Sequence, residues 1–124
     1  NTLGNRIKEN YELRSQSYLT RRTPVIIRLD GKSFHTLTKK FTKPFDDKLS
    51  EAMITASVKL MNQISGSKVG YIQSDEVSIL VIDYDKLTTE AWFDYKIQKI
   101  TSVSASIMSV EFIDILPRLK LVGF

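Results

Sequence analysis

An α+β fold of the ferredoxin-like type, β-α-β-β-α-β behind an N-terminal helix, is predicted by three features of the sequence. Two long segments carry apolar residues at helical spacing, short β-branched or apolar runs of strand length flank them, and turn-forming residues separate the two kinds. The chain of 124 residues and 14.2 kDa is of single-domain size, so residues 1–124 are expected to form one unit. A chain of this length buries roughly two-thirds of its unfolded surface, enough for a core without metals or disulfides.

The first element is a helix over about residues 4–19, with Ile7, Tyr11, Leu13 or Arg14, and Tyr18 at helical spacing. Pro24-Val25-Ile26-Ile27-Arg28-Leu29 then reads as a buried strand that Asp30-Gly31 stops. Lys32–Leu37 has room for one or two helical turns before Lys43-Pro44 breaks the pattern. Asp46 or Asp47 is a good N-cap for a helix to about Ser65, with Leu49, Met53, Ala56, Leu60 and Ile64 along one face. Strands at Lys68–Gln73 and Val77–Tyr84 follow, joined by a hairpin turn at Ser74-Asp75-Glu76. A second long helix is expected from Thr88 or Thr89, burying Phe93, Ile97, Ile100, Val103, Ile107 and Val110. Pro117 ends it, and Leu119–Phe124 reads as the last strand.

Composition removes several function classes. The chain has no cysteine, so a disulfide scaffold, a thiolate zinc site and a cysteine nucleophile are excluded. One histidine, His35, leaves a histidine zinc site short of ligands. No apolar run approaches the ~18–20 residues that span a bilayer, and the sequence opens without a signal-peptide core; a cytoplasmic protein with no membrane partner is the expectation. The net charge of +4 is unevenly spread: residues 1–48 hold eleven Lys and Arg against five Asp and Glu, so a polyanion would meet this third of the chain.

In the predicted topology the first and third strands lie side by side and antiparallel. Asp30-Gly31 and Ser74-Asp75-Glu76 then fall at one edge of the sheet, where strands are ~4.8 Å apart. Two carboxylates about 5 Å apart repel by roughly 3 kcal/mol at an effective dielectric of 20, so such an edge needs a cation, a shared proton or wide separation. Mg²⁺ suits it, being a hard ion that takes oxygen ligands and shares phosphate oxygens with a nucleotide. Gly31 would let backbone groups approach a triphosphate, and a helical turn beginning at Lys32 would aim free N–H groups at it. Each segment alone is also a common turn sequence.

The runs Arg28-Leu29-Asp30-Gly31-Lys32-Ser33-Phe34-His35, Lys43-Pro44-Phe45-Asp46 and Gln73-Ser74-Asp75-Glu76-Val77-Ser78 resemble the histidine-tRNA guanylyltransferase superfamily, and within it the 3′–5′ polymerases that repair tRNA 5′ ends. The resemblance runs from about Arg6 to the end, including Ala91-Trp92-Phe93 and Lys99. It implies a polymerase-type palm that activates a tRNA 5′ end with ATP. The 3′-hydroxyl of an incoming GTP or other NTP then attacks the activated phosphate. Asp30 and Asp75 would hold two Mg²⁺ ions with the Gly31 carbonyl as a further ligand, and Glu76 would support them. By the same matching Gly31, Lys32, Ser33 and Phe34 would cradle the triphosphate, Lys43, Ser74 and Lys99 would contact phosphates, and His35 and Asp46 would lie near base or sugar. A homo-oligomer, a tetramer by the family pattern, is also implied.

Family members are about twice as long, and Leu119–Phe124 would make a poor natural terminus, so the chain is expected to be the N-terminal part of a longer protein. Two other classes compete. A non-catalytic RNA-binding module on the same scaffold would read bases with aromatics on its central strands, but residues 24–29 carry none and 77–84 only Tyr84. A nucleotide cyclase, sharing the carboxylate edge, would need no RNA.

Overall fold

Strand β1, Val25–Asp30, alternates buried Val25 and Ile27 with exposed Ile26 and Arg28, the period of two that a half-buried strand requires. The computed structural model describes residues 2–31, 45–73 and 76–123, of which 45–49 and 116–123 are described by backbone alone. Helix α2 spans Phe45–Gln63, followed by β2 at Ser67–Gln73 and β3 at Glu76–Val81. The three strands form one antiparallel sheet in the order β1-β3-β2, so β1 and β3 are neighbours as the sequence predicts. The protein is an α+β fold with a small antiparallel sheet.

The core lies on one face of that sheet. Val25, Ile27, Val77, Ile79 and Val81 meet Met53, Ala56, Leu60 and Ile64, four of the five residues foreseen for the α2 stripe; Leu49, the fifth, is described by backbone alone. A side chain at Gly70 on β2 would come within 2.7 Å of the Met61 sulfur, so α2 sits close against this strand. Gly66 closes the turn before β2 at a φ of 88°, and a Cβ there would lie 2.1 Å from the Ile82 carbonyl oxygen. Only glycine fits such a position.

Several elements depart from the sequence reading. The N-terminal helix α1 runs in three consecutive pieces, α-helical Thr2–Ile7, π-helical Lys8–Glu12 and α-helical Leu13–Ser15, and it buries no residue. It therefore stops short of residue 19. Tyr18 instead bridges to Lys96, and the Leu19 amide donates to the Tyr95 carbonyl at 2.9 Å. Strand β3 ends at Val81, not at Tyr84, because Asp83 is drawn into a polar cluster with the arginines before β1.

Helix α3 spans Ile97–Gly123 and does not start at Thr88 or Thr89. The Thr89 hydroxyl closes a local turn instead of capping a helix: it accepts from the Lys86 amide at 2.9 Å, while the Thr89 amide donates to the Lys86 carbonyl at 3.1 Å. The buried stripe of α3 is Ile100, Ser104, Met108, Phe112 and Ile115, rotated from the expected one, and Val110 is exposed. The small Ser104 is fully buried, its hydroxyl bonded back to the Ile100 carbonyl, and with Ile97 and Ile100 it lines a groove between α3 and β1. The expected strand at Leu119–Phe124 is not formed; α3 continues through Pro117 to Gly123, and Phe124 lies outside the described residues. Packed positions Met108, Phe112 and Ile115 carry the helix to within two residues of the proline, and the Leu and Lys beyond it are good helix formers. The turns foreseen at Lys32–Leu37 and the break at Lys43-Pro44 lie outside the described residues.

Before α3 the backbone is left-handed at three successive residues, Phe93, Asp94 and Tyr95, with φ of 49°, 53° and 55°. Such a conformation costs about 1–2 kcal/mol per non-glycine residue. Buried Tyr95 and the Arg21–Asp83 pair hold it. Asp83 is fully buried, accepts from Arg21 Nε at 2.6 Å and from the Arg22 amide at 2.9 Å, and Arg21 also reaches Asp94 at 3.7 Å. Burial by itself would raise the Asp83 carboxyl, but the Arg21 and Arg22 donors outweigh it and hold the group below its ordinary 3.8. Burial, with the Asp83 charge nearby, pushes the Tyr95 phenol up to about 12. No helix among the described residues is long and apolar enough to cross a membrane.

Gly66→Ala is expected to lower the unfolding free energy by about 2–3 kcal/mol in urea titrations, from left-handed strain and the carbonyl clash together. Because the folded Asp83 value is depressed, its stabilising contribution is complete above pH 3.8 and lost as pH falls through the folded value. Asp83→Asn should melt below the parent at neutral pH, and the gap should narrow in melts run progressively below pH 3.8.

Candidate functional site

The antiparallel register places Asp30, the last residue of β1, directly opposite Glu76, the first of β3, and Glu76 in turn opposite Gln73 of β2. Two carboxylates from segments 46 residues apart thus share one sheet end, as the sequence anticipates. Directly opposed like charges destabilise a strand pair. The structure offsets this with Arg28, which lies diagonally across from Glu76 and binds Glu76 Oε1 through Nε at 2.7 Å. Arg28 was quoted in the motif but given no role; its position two residues before Asp30, hence on the same strand face, is the signal that could have found it.

Gly31 continues from this edge into a small cavity of about 90 Å³ between Leu29 and Asp30 on one side and Ala105, Met108 and Ser109 of α3 on the other. Asp75 and Ser74 lie outside the described residues, as do Lys32, Ser33, Phe34, His35 and Lys43. Asp46 is in the first turn of α2, with only its backbone described. Among the described residues no group of three metal-ligating side chains is gathered.

Lys99 stands apart from the acidic edge. It lines a polar cleft of about 430 Å³ with Glu12, Ser15 and Gln16 of the N-terminal segment and with Lys96 and Ser102. Along α3 it is six to ten residues from the Gly31 cavity, about 9–15 Å. Lys96, three residues before Lys99, has its ammonium 6.0 Å from the centre of the Tyr18 ring.

The sheet face opposite the core carries side chains in rows. Asp30, Glu76 and Gln73 form the acidic row; Arg28, Ser78 and Tyr71 the next; Ile26, Leu80 and Val69 the third. Successive rows are two strand residues apart, about 7 Å. Ile26, Val69 and Tyr71 are exposed.

The family model described as Thg1, tRNAHis guanylyltransferase, matches residues 4–120. The chain belongs to this family. It is 45% identical to a solved bacterial tRNA(His) guanylyltransferase (Thg1)-like protein in complex with GTP, with a TM-score of 0.87 over 94% of this chain and 53% of that one. A second such bacterial protein, in complex with ATP, is 43% identical with a TM-score of 0.88 over 98% of this chain and 53% of that one. The tRNA(His) guanylyltransferase of Debaryomyces hansenii is 32% identical over 100 residues, which are 79% of this chain and 36% of that protein. The chain therefore spans about half the length of the solved relatives and about a third of the curated one.

Because Arg28 is largely exposed, Arg28→Ala should cost less than about 1 kcal/mol of stability in chemical unfolding. The small difference should vanish at high salt, where surface pairs are screened.

Proposed function

We propose that the chain is the palm-like catalytic unit of an Mg²⁺-dependent nucleotidyltransferase that adds nucleotides in the 3′–5′ direction to the 5′ end of tRNA. The register that sets Asp30 against Glu76 carries this reading, because it builds an oxygen-rich edge that a hard cation would neutralise. The 45% identity to a relative solved with GTP supports a triphosphate as the ligand beside that edge.

The donor set suits magnesium: carboxylate oxygens at Asp30 and Asp75 and the Gly31 carbonyl, with Glu76 held by Arg28 as support. Two bound Mg²⁺ ions would stabilise charge on the attacking and leaving oxygens. The protein's own part is positioning and charge neutralisation, since phosphoryl transfer asks for little covalent help. Residues Gly31 to Phe34 would hold the triphosphate through backbone amides, Lys43, Ser74 and Lys99 its phosphates, and His35 and Asp46 its base or sugar. ATP would activate the tRNA 5′ phosphate by transferring AMP to it with release of pyrophosphate, and the 3′-hydroxyl of GTP or another NTP would then attack the activated phosphorus, lose its proton and displace AMP.

The same reading extends to the fold and assembly. The outer edge of β1 is unpaired among the described residues and borders an apolar groove of about 260 Å³ lined by Leu19, Ile26, Leu29, Ile97 and Ile100. A fourth strand beside β1 would complete the ferredoxin-like palm there. A cytoplasmic homo-oligomer, a tetramer by family resemblance, belongs to the same proposal.

The test is incorporation of labelled GTP, with ATP and Mg²⁺ present, into a tRNA lacking its first nucleotide. Asp30→Ala and Asp75→Ala should each lower addition about 100-fold or more, with circular dichroism and melting unchanged. Undiminished addition in both variants would overturn the mechanism, and a product formed from NTP without RNA would point to a cyclase.

A further inference from the structure

The open face of the sheet has a composition that solvation alone does not explain. Tyr71, Ile26 and Val69 are 64%, 62% and 58% exposed, yet they stand together on one face beside the acidic row. The face of an antiparallel sheet left to water is normally polar, and contiguous exposed apolar groups mark a binding surface. The sequence reading weighed aromatics only on the central strands; Tyr71 is on β2, and Tyr84 falls beyond the end of β3.

Across the second row, Tyr71 and Arg28 flank Ser78. With strands ~4.8 Å apart, the tyrosine and arginine backbones are about 10 Å apart over a small, flat floor. The Nε contact with Glu76 ties the guanidinium to this face. A phenol ring and a guanidinium plane bordering a shallow trough are the two groups on which proteins stack unpaired nucleobases. The apolar third row gives a second surface for base or sugar, and on the other side of the Tyr71 row the acidic row lies about 7 Å from it, within the reach of one nucleotide. The underside is closely packed: Gly70, next to Tyr71, backs onto Met61 of α2.

We propose that this face binds the 5′-terminal nucleobase of an RNA strand, stacked on Tyr71 beside Arg28, so that the attached 5′ phosphate reaches the Asp30–Glu76 edge. The proposal rests on the reading of that edge as a nucleotidyl-transfer site and adds the element that would position the RNA end on it. Tyr71 acts here as a positioning residue, touching the terminal base and not the reacting phosphorus.

The test uses the full chain with a 5′-phosphorylated acceptor-stem RNA lacking its first nucleotide, in Mg²⁺ buffer without NTP, and reads affinity by fluorescence anisotropy. Tyr71→Ala should weaken RNA binding about 5- to 150-fold, the range that loss of one stacked base gives, whereas Tyr71→Phe should stay within about twofold of the parent. Binding of Mg²⁺-GTP should be unchanged in both variants, and so should melting, because the side chain is exposed. A 4-thiouridine placed at the RNA 5′ end should crosslink to the peptide containing Tyr71. Unchanged RNA affinity in Tyr71→Ala would overturn the proposal, as would a parallel loss of GTP binding, which would assign the face to the incoming nucleotide. Dissociation of an oligomer by Val69→Asp, read by sedimentation, would also overturn it by showing that a second copy covers the face. Failure of the underlying reading looks different: the parent chain would incorporate no nucleotide while Tyr71→Ala still lost RNA affinity.

Discussion

Everything at the candidate site depends on the pairing of β1 with β3. Their antiparallel register brings the end of one strand against the beginning of the other, so Asp30 and Glu76 face each other although 46 residues separate them. A slip of one residue would move every side chain of a strand to the other face, taking Val77, Ile79 and Val81 out of the core. Hydrophobic burial therefore fixes the register, and the register fixes where the carboxylates meet. Arg28 lowers the cost of that meeting without cancelling the negative charge, which leaves the edge suited to a cation.

A second set of constraints acts at the other end of the sheet. The left-handed turn at Phe93–Tyr95 is costly by itself, yet it sets where α3 begins and hence where Lys96 and Lys99 stand. Asp83 links the two sides of this region, drawing Arg21 and Arg22 from the segment before β1 to the loop after β3. Arg22 adds contacts to the Lys86 and Leu87 carbonyls at 3.0 and 2.8 Å. The polar cleft around Lys99 lies between the N-terminal segment and the start of α3, which are joined by the backbone hydrogen bonds from Leu19 to Tyr95 and from Ile97 to Ser17.

The three strands β1, β2 and β3 and the helix α2 are legible because their patterns are strong: alternate burial in β1 and the Met53, Ala56, Leu60, Ile64 stripe both match. The meeting of Asp30 with Glu76, the first residue of β3, follows from topology, and the family from the Asp-Gly-Lys and Gln-Ser-Asp-Glu runs. What was not legible has identifiable physical causes. The start of α3 was misplaced because Thr89 looks like an N-cap but spends its hydroxyl on a local turn. Its buried face is not legible because a serine, Ser104, and not an aliphatic residue takes one of the buried positions. Pro117 reads as a stop in the sequence, whereas packing of Phe112 and Ile115 carries the helix past it. Tyr71 lies on β2, outside the central strand pair that the topology predicts, and the spacing that puts Arg28 on the Asp30 face needs the register as well before it names Glu76 as the partner.

The account stands or falls on whether the acidic edge gathers divalent cation. Anomalous scattering from a crystal grown with Mn²⁺ and GTP measures this directly. The account predicts metal peaks within coordination distance of the Asp30 and Asp75 carboxylates, about 2.0–2.2 Å as for magnesium-type ligation, with the triphosphate on the same ions. Metal bound elsewhere, or GTP seated with Asp30 turned toward solvent and no ion beside it, would contradict the account at its base.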